Sequence, residues 1–360
     1  MSSGPQGPGA GQEAYREAGV DLEAASAAIE AIRDLAGEAG RPEVVRGVGG
    51  FAGLVDLGDG RVLSASTDGV GTKLEVARRA GRLDTVGIDL VAMCANDVVC
   101  TGARPLFFLD YVAVGNVVPS RVAALVAGVA EGCRRAGCAL LGGETAEHPG
   151  TMPEDGFDLA GFCVGIANRG ELLDPSRVEP GDALLGFPST GLHANGFSLV
   201  RRVLLEGAAA RPLDELVPVL GRTLADELLE PTAIYAQPVL ALAAEGLARS
   251  AAHITGGGFG ENVPRALPEG LAAWIDPSTW HRAPIFDLVA GAAGLEARDL
   301  FDVLNMGIGM VVVVPADRAV HARSVASDAG VEAVQIGEVI QAESGTGTAS
   351  RVSIGFARSG

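Results

Sequence analysis

The stretch "VGIDLVAMCANDVVCTGARP" (residues 86–105) places two chemistries on one segment. Ile88, Val91, Ala95, Val98 and Val99 recur at the 3.6-residue spacing of a helix, while Asp89, Asn96 and Asp97 gather on another side. One side can pack and the other can present oxygen ligands, which predicts a helix over 86–102 lying between a core and a polar site.

Outward from this helix, "RVLSAS" (61–66), "PLFFLDYVAV" (105–114) and "DLAGFCVGIA" (158–167) are short apolar runs bounded by turn residues and read as strands. A helix is predicted at 120–136. A further amphipathic helix starts at Leu22, with Ala25, Ile29, Ile32 and Leu35 on its apolar side, and stops at the breaker near Pro42. The turn-rich stretch 168–182 precedes a fresh apolar run at 183–187, which puts a domain boundary there. The second half continues with helices at 195–206, 223–229 and 231–245, a glycine turn at 256–260 and a strand at 308–314. Strands alternating with helices, without a short repeat, specify α/β or α+β layers. The expected divisions are a disordered leader (1–14), an N-terminal domain (15–170), a linker (171–182), a C-terminal domain (183–342) and a terminal strand and tail (343–360).

Composition narrows the function. The chain has 45 acids against 27 bases, a formal charge of −18, which argues against a nucleic-acid or anionic-membrane surface. No apolar run reaches the roughly 18 residues of a bilayer span, and the N-terminus lacks the layout of a secretory signal. Five cysteines without CxxC spacing suggest neither a disulfide framework nor a zinc cluster and fit a reducing cytoplasm.

The loop "STDGVGTKL" (66–74) is as glycine-rich as a phosphate loop but lacks the GxxxxGK[ST] order, since Thr72 and not glycine precedes Lys73. "GVGGFAG" (47–53) misses the dinucleotide pattern, with Ala52 at the third glycine position. Asp68 can instead meet a hard cation while the backbone of Gly69, Gly71 and Thr72, together with Lys73, approaches phosphate oxygens. Asp97, and Glu144 after paired glycines, complete an expected Mg²⁺–polyphosphate site. In "PSTGLHANGFS" (188–198), Ser189, Thr190, Gly191, His193 and Asn195 precede a helix and can cradle an anion, with His193 able to move a proton. Gly256, Gly257 and Gly258 offer a second nest. No GxSxG elbow, catalytic-cysteine context or HExxH pattern stands out, so metal-assisted phosphoryl chemistry leads.

Together, "YREAGVDLEA", "RPEV", "GGFAGL", "STDGVGTKL", "GIDLVAMCANDVVCTGARPLFFLDY", "EGCRRAGCALLGGETAEHPG", "DLAGFCVG", "GLHANGFSLVR" and "HITGGGFGENVPR" resemble, in order and spacing, the aminoimidazole ribonucleotide synthetase (phosphoribosylformylglycinamidine cyclo-ligase) family. The likeness runs from about Tyr15 to Val352. Asp97 to Pro105, D-x4-G-A-x-P, is similar to the signature of the wider superfamily, which uses ATP without a P-loop.

The resemblance implies a two-domain α/β fold, with an N-terminal sheet that pairs into a barrel across a homodimer and a C-terminal α/β domain. It also implies ATP- and Mg²⁺-dependent ring closure of formylglycinamidine ribonucleotide in purine biosynthesis. Carried onto this chain, it puts Asp68, Asp97 and Glu144 on the metal. Gly49, Gly50, Gly69, Gly71, Thr72, Lys73 and Asn96 fall at the nucleotide, and residues 189–195 and 256–258 at the substrate. Lys73, Asp97 and His193 are the catalytic candidates.

One departure stands before "NMGIGM" (305–310), where Asp302, Val303 and Leu304 replace the family's usual Arg-Thr-Phe. A selenophosphate-type synthetase is disfavoured because the first cysteine is Cys94, far from an N-terminal glycine loop. A small-molecule kinase of the same superfamily, against which the "GLHANGFS" block speaks, a non-catalytic nucleotide-binding protein and a dehydrogenase are the remaining alternatives.

Overall fold

The computed structural model describes residues 9–206, 210–342 and 351–355. The first sheet contains β1 (Val44–Arg46), β2 (Gly53–Asp56), β3 (Arg61–Gly69), β4 (Arg104–Val114), β5 (Ala139–Glu147) and β6 (Phe157–Asn168), in spatial order β1-β2-β3-β6-β4-β5. Only the β4–β5 pair is parallel. Its crossover is the helix Pro119–Ala136, which begins with proline at its first turn and ends at Gly137 in the left-handed region.

The second half forms β7 (Ala183–Pro188), a small ribbon of β8 (Leu216–Val217) and β9 (Arg222–Thr223), then β10 (Ser250–His253), β11 (Leu271–Ile275), β12 (Ile308–Val314), β13 (Val334–Gln341) and β14 (Val352–Ile354). The larger sheet has the order β10-β12-β7-β13-β11-β14. Every residue of β12 is buried, as its uninterrupted apolar sequence requires.

The helix Val86–Val99 is the axle of the molecule. It packs on β3, β4 and β6, on the helix Pro119–Ala136, and on β10 and the helix Ala236–Ala244 of the second half. All of its residues except Asp97 are buried, so the two-sided pattern marks two packed sides and not one packed side and one wet side. Gly87 and Gly128 let the two helix backbones touch, since a Cβ on either would collide with main-chain atoms of the other helix or its leading loop.

Two expectations at the N-terminus need revision. Residues 10–14 are not a disordered leader: they open the helix Ala10–Glu17, whose Tyr15 is buried and which packs near residues 297–300. The remainder of that expected leader, residues 1–8, and most of the expected tail lie outside the described residues. The helix Leu22–Glu38 forms where the periodicity predicts it, capped by the Asp21 side chain, but buries none of its residues.

A buried ion pair within the first half holds the second half through its remaining hydrogen bonds. Lys73 Nζ lies 2.9 Å from both carboxylate oxygens of Asp89. It also donates to the main-chain oxygens of His193 (2.9 Å) and Glu230 (2.7 Å), while Asp89 accepts from the Thr232 amide and hydroxyl. Burial pushes the ammonium pKa down and the carboxyl pKa up, and their mutual attraction opposes both shifts.

Replacing Lys73 by Met leaves Asp89 uncompensated and should lower unfolding free energy in urea by about 3–5 kcal/mol. The Lys73→Met/Asp89→Asn double variant should recover part of that loss. A single variant as stable as the parent would refute the role of the pair.

Candidate active site

A cleft forms where the end of β3 and the helix Val86–Val99 meet the loops after β10. β3 continues past its predicted end and carries Asp68 to the rim, and the helix turns Asp97 toward the same place. Asp97 accepts from Ser66 Oγ at 3.3 Å and stands 3.0 Å from His253 Nδ1. His253 Nε2 is 3.3 Å from the Asn96 side-chain nitrogen, an arrangement that puts the ring proton on Nδ1, facing Asp97.

Arg265 closes the cleft from the second half. Its guanidinium lies 3.7 Å from the Phe51 ring centre, donates to the Gly50 carbonyl at 2.6 Å and to Asn262 Oδ1 at 3.2 Å, and interacts electrostatically with Asp68, Asp97 and Glu261. Gly49, Gly50, Phe51, Arg46 and Arg265 contribute to the wall of a cavity of about 330 Å³. Burial, with the neighbouring Asp97 charge, raises the Asp68 pKa to about 6. A carboxylate pair of this kind, in which the Asp97 charge helps to raise the Asp68 pKa, suits a hard divalent cation. Among the described residues, however, no group of three or more His, Cys, Asp or Glu side chains is arranged to hold a metal.

Glu144 is the reason that the expected trio fails. Asp68, Gly161, Asp110 and Gly143 lie opposite one another across β3, β6, β4 and β5, so their side positions share one face. Glu144 is the next residue along β5 and points to the other face, three strands away. Asp110, which sequence reasoning missed, is on the correct face. Its Oδ2 is buried without a hydrogen-bond partner, and burial raises its pKa. An acid in the apolar run "PLFFLDYVAV" was the available signal.

Three further assignments change. Lys73 does not face the nucleotide side of the cleft: it is fully buried, and its three donor directions end on Asp89, His193 and Glu230. Asn96 is occupied as well, because its side-chain oxygen accepts from the Tyr235 amide and its nitrogen donates to the Ala233 carbonyl. His193 is buried with φ +63°, and its Nε2 accepts from the amides of Thr190 (3.2 Å) and Ala233 (3.4 Å). That contact puts its proton on Nδ1, which has no partner. Burial above all, with His253 and Lys73 nearby, holds its pKa well below the ordinary histidine value, so the ring is neutral near pH 7.

The 189–195 turn is largely tied to the protein itself. Ser189 Oγ donates to the Gly191 carbonyl or Asn305 Oδ1, and Thr190 Oγ1 donates to the Pro231 carbonyl. Asn195 is the member that looks across to Gly256, and it donates weakly to Met93 Sδ. Gly257 and Gly258 occupy the left-handed region, and Asn262 holds the carbonyls of Gly256 and Gly258. The N–H groups of Gly256 and Gly257 find no acceptor among the described residues, which leaves a short nest for an anion.

Gly71 and Thr72 line a separate cavity of about 510 Å³ with Arg78, Asp158 and Arg201. Gly69 ends β3 beside the Leu159 carbonyl. At the departure before "NMGIGM", Val303 and Leu304 are core residues and present no donor to a cleft, while Asp302 is partly buried beside Gly260. His253 and Arg265 were missed although both stand inside "HITGGGFGENVPR". Their signal was a histidine ending a strand and an arginine shortly after the glycine nest.

The fold and cleft define a two-domain AIR synthase-related protein: residues 49–167 match the model "AIR synthase related protein, N-terminal domain" and residues 179–350 the corresponding C-terminal domain model. A phosphoribosylformylglycinamidine cyclo-ligase of Shouchella clausii is 50% identical over 334 residues, covering 92% of this chain and 96% of the relative. The chain belongs to the phosphoribosylformylglycinamidine cyclo-ligase family, ligases of purine biosynthesis. Among solved structures, tt0281 from Thermus thermophilus superposes with a TM-score of 0.62 at 26% identity, covering 87% of this chain and 91% of that one. AaThiL, solved with AMPPCP and TMP, gives 0.57 at 16% identity over 85% and 87%, a likeness of fold.

Because folding raises the Asp68 pKa to about 6, the folded state binds more protons than the unfolded chain between the ordinary carboxylate range and that value. Without divalent cations, stability should therefore fall as pH rises through this window. Asp68→Asn should melt higher than the parent at about pH 8, with the difference vanishing toward about pH 4. A pH-independent difference would remove the Asp68 shift.

Proposed function

We propose that this chain closes the imidazole ring of formylglycinamidine ribonucleotide with ATP, releasing aminoimidazole ribonucleotide, ADP and phosphate. The observation that carries the reading is the Asp68–Asp97 carboxylate pair facing Arg265 beside the Gly256–Gly257 nest. ATP would transfer its terminal phosphoryl group to the formyl oxygen. The amidine nitrogen then attacks that carbon, and phosphate departs with the oxygen. Such a reaction asks the protein for alignment and charge neutralisation more than for a nucleophile.

Asp68 and Asp97 fit a Mg²⁺ ion that takes its other ligands from phosphate oxygens and water, and when bound it would neutralise phosphate charge. Arg265 offers a fixed guanidinium to the same oxygens, and the glycine N–H groups offer backbone donors. His253 orients Asp97 by donating from Nδ1. The N-terminal half (15–170) would carry the nucleotide, with Gly49 and Gly50 at its edge, and the C-terminal half (183–342), joined through residues 171–182, the ribonucleotide near Asn195. The AMPPCP held by the related AaThiL, an ATP analogue, supports ATP as the phosphoryl donor.

The enzyme works as a cytoplasmic homodimer. β5 is exposed along most of its length, with Leu141 65% accessible, and Tyr111 and Phe162 stand open on the neighbouring strands. A second copy covering this face would bury an apolar surface that an isolated chain rarely leaves open. No helix among the described residues is long and apolar enough to cross a membrane.

ADP release coupled to product detection tests the chemistry. Asp97→Asn and Arg265→Met should each lower turnover with formylglycinamidine ribonucleotide by about 10²-fold or more while remaining folded. Full activity in Asp97→Asn would overturn the cation site, and ADP release without ring product would overturn the cyclisation. Phe162→Asp combined with Leu141→Asp should halve the mass measured by light scattering, and an unchanged mass would place any dimer contact elsewhere.

A further inference from the structure

A third cavity, of about 470 Å³, lies at the far end of the first sheet from the carboxylate pair. Arg61 and Arg104, the residues that open β3 and β4, contribute to its wall. Asp68 stands seven residues further along β3 than Arg61, roughly 23 Å away at about 3.3 Å per residue. Across β6, Asn168 pairs with Arg61 and Ile166 with Arg104, which brings both arginines to the same end of the sheet. Another part of the wall comes from the second half, where Leu240, Ala243 and Ala244 belong to the last turns of the helix Ala236–Ala244. Glu171, at the start of the connection between the halves, also lines the cavity, and its carboxylate accepts from the Asn168 side-chain amide at 3.0 Å. The Arg104 guanidinium has no hydrogen-bond or ion-pair partner among the described residues. That of Arg61 is engaged by Asp59 through Nε and Nη2 alone.

We propose that this cavity binds a nucleoside monophosphate at a site separate from the catalytic cleft. An arginine without an acidic partner presents a planar fork of donors that matches phosphate oxygens, and the remaining nitrogen of Arg61 adds another donor. A chain with a formal charge of −18 repels phosphates over most of its surface, so a concave place with two arginines is where one would be retained. The volume falls within the roughly 300–1,000 Å³ of small-molecule sites and exceeds what a lone phosphate fills. The rest of the wall suits the rest of a nucleotide. Leu240, Ala243 and Ile166 offer apolar surface to a planar base. Glu171 and the carbonyl end of the helix Ala236–Ala244 favour N–H donors, which a base with an amino group supplies. Among the described residues, Arg61 and Arg104 are the only cations of the lining, which matches one phosphate better than two or three. A ligand held here touches both halves and the connection between them, so binding favours their docked arrangement.

The test titrates the full chain with AMP by isothermal calorimetry, a measurement that needs no turnover and is decided independently of the ring-closing reaction. AMP should bind saturably and raise the melting temperature. Ribose 5-phosphate and inorganic phosphate should each bind at least about tenfold more weakly, because they leave the apolar wall uncovered. Arg104→Glu should weaken AMP binding by about tenfold or more, and Arg104→Gln serves the same purpose if the glutamate variant folds poorly. Arg265→Met, in the catalytic cleft, should leave AMP binding unchanged. The proposal is overturned if AMP does not bind, if it binds both Arg104 variants as tightly as the parent, if binding is lost in Arg265→Met, or if inorganic phosphate binds as tightly as AMP.

Discussion

The structure depends on one desolvated contact, Lys73 against Asp89. Each member alone would be a charge without solvent, and a charge buried without a partner is among the most expensive features that a core can contain. Together they create a polar centre that only one arrangement of the two halves satisfies, because the remaining donors and acceptors are completed by His193, Glu230 and Thr232 from the second half. The pair is better understood as fixing the position of one domain on the other than as a large net source of stability. That fixed position brings the loops after β10 to the rim of β3.

The cleft then exploits the opposite situation. Asp68 and Asp97 lie near each other at the rim, and burial, with the Asp97 charge adding to it, raises the Asp68 pKa. Arg265 offsets part of that rise from across the domain seam, so the acids receive charge compensation only when the second half is in place. A cation and a polyphosphate would complete what the protein leaves unbalanced, which is how a site can be preorganised for ligands without a P-loop.

Much of the architecture was legible in periodicity. The helices at 86–99 and 119–136 and the strands β3, β4, β6, β7 and β12 follow from spacing and turn residues alone. What sequence could not supply was direction. Glu144 follows two glycines as expected, but one step along a strand reverses the face, and nothing in "LLGGETAEHPG" says on which side Asp68 lies. Lys73 and Asn96 have polar side chains suited to ligands, and the structure uses them on the protein's own backbone. A single sequence does not distinguish these uses, because both call for the same donors. β5 was not recognised as a strand since its glycines and acids suit an edge and not a packed interior.

The loop "STDGVGTKL" shows how these two roles are coupled. Asp68 stands one residue before the end of a strand and Lys73 begins a helix, with Gly71 in the left-handed region turning the chain between them. Their partners, Asp97 and Asp89, are eight residues apart on one helix, about 12 Å along its axis. The same short loop therefore spans from the cleft to the interdomain seam against a rigid ruler. A change that lets Lys73 slip from Asp89 loosens the second half, and it also moves the strand end that carries Asp68 relative to Asp97. Under the proposed reading, this geometry would link phosphate binding to domain placement mechanically, with Lys73 acting from the seam through Asp89, His193 and Glu230.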